Sequence, residues 1–133
     1  MDEVSVHVEA EINPTESEEK VKQAVENVFG DIPMHVELLH KGNLLVAEAK
    51  GQEALTKLHD LLRRERIRSA ARPVLFEGIY KETINFCLNK QVAYAGHISF
   101  SKEIAESPLG PIRVKIACEN PRQLVEWLAP RIA

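Results

Sequence analysis

Aromatic rings and cysteines are both scarce in this chain, and each scarcity removes a class of function. Phe, Tyr and Trp make up 5% of 133 residues. Phe86, Phe100 and Trp127 fall at apolar positions of periodic segments, which leaves Tyr80 and Tyr94 as candidate stacking rings. That is too few for a surface that reads unpaired bases by stacking. There are two cysteines, Cys87 and Cys118, and no C-x-x-C. The five histidines, His7, His35, His40, His59 and His97, have neither zinc-ligand spacing nor an H-E-x-x-H helix, so no metal site is expected. The two thiols leave a disulfide open, with reduced cytoplasmic thiols the expectation. Glycines form no Walker or dinucleotide pattern, since KGN and KGQ are turns, and no cofactor is expected. Ser99, Ser101 and Ser107 lack the G-x-S-x-G setting of a nucleophile elbow. No small-molecule substrate is implied, and catalysis by residues distant in sequence stays open to a structure. No apolar run approaches the roughly 18 residues that span a bilayer. MDEVSVHVEAE is acidic where a secretion signal is basic and then apolar, so a cytoplasmic chain without a membrane partner is expected.

What is present is an ordinary soluble composition, 44% hydrophobic and 28% charged, consistent with one domain over residues 1–133. The net charge is −3, but it is unevenly placed: residues 1–40 hold ten acidic and two basic side chains, and residues 41–133 hold ten and fifteen. Two explanations fit, a polyanionic partner or an acidic strand lying beside a basic one.

Periodicity predicts an α+β fold, a mostly antiparallel sheet with helices packed on one face and the other face partly solvated. VSVHVEAEI alternates Val4, Val6, Val8, Ala10 and Ile12 against Ser5, His7, Glu9 and Glu11. A helix follows, with Thr15 and Glu18 as a capping box, Val21, Val25, Val28 and Phe29 as its stripe, and Gly30 as its terminator. MHVELLH and LLVAEAK around KGN predict a hairpin. Leu55, Leu58, Leu61 and Leu62 predict a helix; the set from Ile67 to Leu75 is out of step with it, requiring a bend near residues 64–66. Pro73 requires either a second helix starting close to Ser69 or a kink. Then come a strand with Ile84, Phe86 and Leu88 inward, a short helix capped by Asn89 (or a tight hairpin), a strand at HISFS and a loop at KEIAESPLG. A strand with Ile112, Val114, Ile116 and Cys118 inward follows, and last a helix capped by Asn120 with Leu124, Trp127 and Leu128 on its core face.

NPTESEEKV, LLRRERIRSAAR, FCLNKQVAYAGHISF, SPLGPI and WLAP, in this order across nearly the whole chain, resemble an archaeal group, uncharacterised protein family 0201. The resemblance implies a fold like that of the ribosomal protein that holds 5S RNA, homodimers, and RNA binding without assigned catalytic residues. Pro73 departs from an uninterrupted helix after the Ala71 and Arg72 pair, which leaves the geometry of Arg72 open.

The candidate site is the stretch from residue 61 to 72, with five arginines in an acidic chain. Arg64, Arg68 and Arg72 recur every four residues and on one straight helix would form a row, flanked by Arg63 and Arg66, that can follow phosphates. The structural alternative is that they solvate a surface, answer a helix dipole, or pair with Asp60 and Glu65. Lys90, in the first turn of the short helix, is disfavoured by the dipole unless an anion lies nearby, and Gln91 beside it is a candidate polar contact. Again the alternative is a lysine extended into water. Arg113 and Lys115 are expected to be consumed by Glu9 and Glu11 if their strands are neighbours. These residues predict non-catalytic RNA binding through the phosphate backbone; the other reading is an interaction or scaffold protein in which nucleic acid plays no part.

Overall fold

The computed structural model describes residues 3–101 and 109–131. Strands β1 (Ser5–Ile12), β2 (Met34–Leu38), β3 (Asn43–Lys50), β4 (Ile79–Tyr80), β5 (Thr83–Leu88), β6 (Phe100–Ser101) and β7 (Ile112–Ala117) form one sheet. Its order is β2-β3-β1-β7-β5-β4, with β6 also on β5, and every pairing is antiparallel. Helices α1 (Glu18–Phe29), α2 (Thr56–Arg64), α3 (Arg68–Glu77), α4 (Lys90–Tyr94) and α5 (Pro121–Leu128) complete the α+β architecture.

The inward rows follow the alternation in the sequence. Val4, Val6, Val8, Ala10 and Ile12 share one core with Ile84, Phe86, Leu88, Ile112, Val114 and Ile116 and with the helix stripes Val21, Val25, Val28, Leu58, Leu62, Leu75, Leu124 and Leu128. Trp127 packs at the rim of this core, stacked on His59 with ring centroids 4.4 Å apart. The acidic strand does lie beside the basic one: β1 pairs with β7, Glu9 facing Arg113 and His7 facing Lys115, and Arg113 approaches Glu11 to 4.0 Å. Part of the charge asymmetry is therefore internal pairing.

Four expectations are refined. The first helix is capped by Ser17, which accepts the Lys20 N–H, and not by Thr15 with Glu18. Glu16 is turned back instead: its N–H donates to the Asn13 carbonyl and its carboxylate accepts the Asn13 N–H, a turn that delays the helix. The bend falls where the pattern changed phase, since Arg66 has φ 58° and breaks α2 from α3. A second helix begins at Arg68, and Pro73 lies inside it, on its exposed side, so the carbonyl that loses its helical donor, that of exposed Ser69, can turn to water. The strand at HISFS shrinks to two residues, and most of the loop KEIAESPLG lies outside the described residues.

Candidate nucleic-acid interface

The seven side chains singled out by the sequence do not form one ridge. Arg64 ends α2 and Arg68 opens α3, and the left-handed residue between them turns the chain, so the four-residue spacing never becomes a row on one helix. Arg72 points toward α5, where Nη1 donates to Glu126 at 2.8 Å and to the Ala129 carbonyl at 3.1 Å, and Nη2 donates to the other Glu126 oxygen. This bidentate fork raises the Arg72 pKa and holds the Glu126 carboxyl below its ordinary range, the shared hydrogen bond being the cause in both. The guanidinium also lies over Phe76, 4.9 Å from the ring centroid, with Arg122 near the same ring at 5.5 Å. Arg72 is thus a clamp between α3 and α5.

Lys90 departs furthest from expectation. It is 4% exposed, the buried charged residue among the described ones. Its ammonium donates to the carbonyls of Glu11 (2.6 Å) and Leu109 (2.8 Å) and to the Glu16 carboxylate (3.0 Å). Three donors meet three acceptors, so no hydrogen remains for a phosphate. Burial raises the Glu16 pKa, but the Asn13 N–H, the Lys90 ammonium and the Asn13 amide outweigh it and leave the carboxyl below its ordinary value. The predicted helix at Asn89 is correct, with Asn89 Oδ1 accepting the Val92 N–H. What the sequence could not supply was the direction of the lysine stem. Gln91 is exposed and lines a cleft of about 320 Å³ with Thr15, Lys20 and Tyr94.

What the fold does assemble is a corner between α2 and α3. Arg63, Arg64 and Arg66 are exposed there, and Arg68 is half-buried. Arg63 leans toward Asp60 at 3.5 Å, a weak contact. Arg64, Arg66 and Arg68 form no ion pair among the described residues, and the Arg68 Nε is buried without a hydrogen-bond partner. The acid in their midst, Glu65, is drawn away: both its oxygens lie 3.0 Å from His97 Nδ1, one also accepts the Ile98 N–H, and the His97 hydrogen bond holds its pKa low. Sequence spacing offered Glu65 as an arginine partner, because its true partner stands 32 residues away.

By contrast, the polar face of the sheet is mixed. Its open cleft of about 760 Å³ sets Glu9 and Glu77 among His7, Asn85, Arg113 and Lys115. Among the described residues no group of His, Cys, Asp and Glu could hold a metal ion, and no helix is long and apolar enough to cross a membrane. Cys87 and Cys118 are not joined in a disulfide, and burial raises the Cys118 pKa.

A family model described as RNA binding matches residues 5–118. The chain is 42% identical over 129 residues to a UPF0201 protein of Pyrobaculum arsenaticum, covering 96% of this chain and 90% of that one. It is 44% identical over 128 residues to one of Sulfolobus acidocaldarius, covering 96% and 88%. The chain belongs to the archaeal UPF0201 family. The crystal structure of the UPF0201 protein from Methanococcus jannaschii superposes with a TM-score of 0.85 at 31% identity, covering 97% of this chain and 95% of that one. The UPF0201 fold thus extends across nearly the whole chain.

Proposed function

We propose that this UPF0201 protein binds RNA without catalysis, through the phosphate backbone, with Arg63, Arg64, Arg66 and Arg68 at the α2–α3 corner as the contacts. The match to a family described as RNA binding supports the class of partner. The observation that carries the site is three arginines within five residues that form no ion pair among the described residues while Glu65 is held by His97. A helix dipole accounts for Arg63 and Arg64 at the negative end of α2, but it disfavours Arg68, the first residue of α3, which has no acidic side chain in its first turn. A bound phosphate would relieve that mismatch and supply the Arg68 guanidinium with an acceptor. Tyr80 and Tyr94 are the exposed rings, each with a lysine near its face, which favours backbone contact over stacking on bases.

The test is binding of a structured RNA across a salt series. Each phosphate neutralised on a duplex contributes about −0.9 to the slope of log K against log salt. The triple variant Arg64→Gln, Arg66→Gln, Arg68→Gln is expected to flatten the slope by about 2 to 3. Arg72→Gln, which removes a clamp and no phosphate contact, is expected to lower the thermal midpoint and leave the slope alone. Absent binding, or a slope that the triple variant does not change, would overturn the reading.

A further inference from the structure

Glu65 is the residue that the arginine corner has to manage. It caps the C-terminal end of α2 between Arg64 and Arg66, where a carboxylate can occupy the neighbouring guanidinium groups in place of a phosphate. A separate piece of the fold prevents this. α4 is capped at Ala95, Gly96 takes the left-handed conformation at φ 90°, and the His97 N–H closes the turn on the Val92 carbonyl. That turn carries the imidazole to the end of α2, where Nδ1 lies 3.0 Å from both Glu65 oxygens and the Ile98 N–H reaches one of them at 3.4 Å. The grip is made at the surface, with the His97 side chain 62% exposed and that of Glu65 23%. The charge on Glu65 is therefore still felt at the corner. After the His97 hydrogen bond, the Ile98 N–H and the His97 charge, Arg64 is the remaining group that holds the Glu65 pKa low.

We infer, as an extension that rests on the RNA-binding reading, that His97 is a positioning residue for the corner: it holds Glu65 aside so that Arg64, Arg66 and Arg68 stay open to phosphate, and RNA is held more tightly when the imidazole is protonated. Neutral imidazole can hold the carboxylate through an Nδ1–H, but the negative charge then stays uncompensated beside the guanidinium groups. Protonated imidazole holds it in the same place and cancels it, so the corner gains one positive charge without moving a side chain. Histidine is the side chain whose unperturbed charge changes between about pH 5 and 8. Affinity is therefore greatest at the acid end of that interval and falls as pH rises. The other charged groups around the pair are accounted for. On α2, Asp60 lies 3.5 Å from both His59 and Arg63. On α4, Lys90 is committed to Glu16, and on α1, packed against α4, Lys20 lies over Tyr94. Ile98 to Ser101, which follow His97, carry no charge. His59 is thus a second titrating ring that reaches the arginines, through Asp60, and the variants must separate it from His97.

The test is fluorescence anisotropy of a labelled RNA hairpin at low ionic strength, between about pH 5.5 and about pH 8, where neither phosphodiesters nor paired bases titrate. Wild-type affinity is expected to fall by about two- to fivefold over that interval, the range for one charge acting at an exposed site. His97→Ala, a change at an exposed position, is expected to bind weakly at every pH and to lose this response, with the circular dichroism spectrum unchanged; any response that remains belongs to His59. Glu65→Gln is expected to bind tightly at both ends of the interval. The double variant His97→Ala with Glu65→Gln separates positioning from direct contact. Affinity returns to that of Glu65→Gln if His97 acts through the carboxylate. A double variant as weak as His97→Ala would overturn the proposal, as would identical pH responses in the wild type and His97→Ala. Absent binding at every pH would overturn the RNA-binding reading and this inference with it. Binding that is lost in the Arg64, Arg66 and Arg68 triple variant but indifferent to His97→Ala would overturn this inference alone.

Discussion

At the scale of single residues, Lys90 illustrates how a correct local reading reaches a wrong role. The Asn89 cap, the short helix and the awkward cation in its first turn were all legible; the anion that relieves the cation is the chain's own Glu16, brought in from 74 residues away. Removing one partner of a buried pair typically costs about 3–5 kcal/mol, since the remaining charge loses both water and its counterion. Lys90→Met is therefore expected to lower stability by about that amount in chemical denaturation while leaving the salt slope of RNA binding unaltered. The pair also sets a pH dependence. The folded Glu16 carboxyl titrates below its ordinary value of 4.5, so its contribution is complete above that value and disappears as pH falls through the lower folded one. Thermal midpoints measured from pH 7 down to about pH 3 should fall more steeply for the wild type than for Glu16→Gln. Gly78 is a second case where a neighbour decides. Its backbone is ordinary, but an added Cβ would stand 2.0 Å from the Asn85 carbonyl oxygen, whose own N–H is bonded to the Gly78 carbonyl. Gly78→Ala must push the end of α3 off β5 and is expected to cost about 1–3 kcal/mol, read as a lowered denaturation midpoint with an unchanged slope.

At the scale of elements, what the sequence disclosed was whatever short-range periodicity controls. The alternation in β1, β5 and β7 and the stripes of α1, α2 and α5 follow from which side chains must leave water, and they stand as read. The phase slip between the leucines of α2 and the apolar set of α3 located the bend correctly, because a rigid helix cannot keep both sets on the core. The bend's consequence for the arginines was harder to see. Four-residue spacing specifies a shared face only while the helix is continuous, and one residue at φ 58° cancels it. Long-range partners were invisible for the same reason that Lys90 misled: nothing in the local spacing joins Arg72 to Glu126 or Glu65 to His97. Cross-strand partners were easier, since an acidic and a basic strand of matching alternation become neighbours whenever the topology permits, as β1 and β7 do.

At the scale of the whole molecule, the order of the sheet decides which hydrogen bonds are protected. β1 is flanked by β3 and β7, whose segments lie far along the chain on different sides of the helices, so its ladder forms only when the two parts of the protein come together. Amides of β1 and β7 are expected to exchange only through global unfolding, and to be the slowest in the molecule. The edge strand behaves differently, residue by residue. The Leu39 N–H donates to Gly42 and the Pro33 carbonyl accepts from Glu48, so the N–H groups of Met34, Val36 and Leu38 point away from β3 and should exchange rapidly, while those of His35 and Glu37, directed at β3, should be protected. Residue-resolved hydrogen exchange reads this directly. Uniform protection along β2 would overturn this reading of the edge, since a one-sided ladder distinguishes neighbouring amides by the direction in which they point.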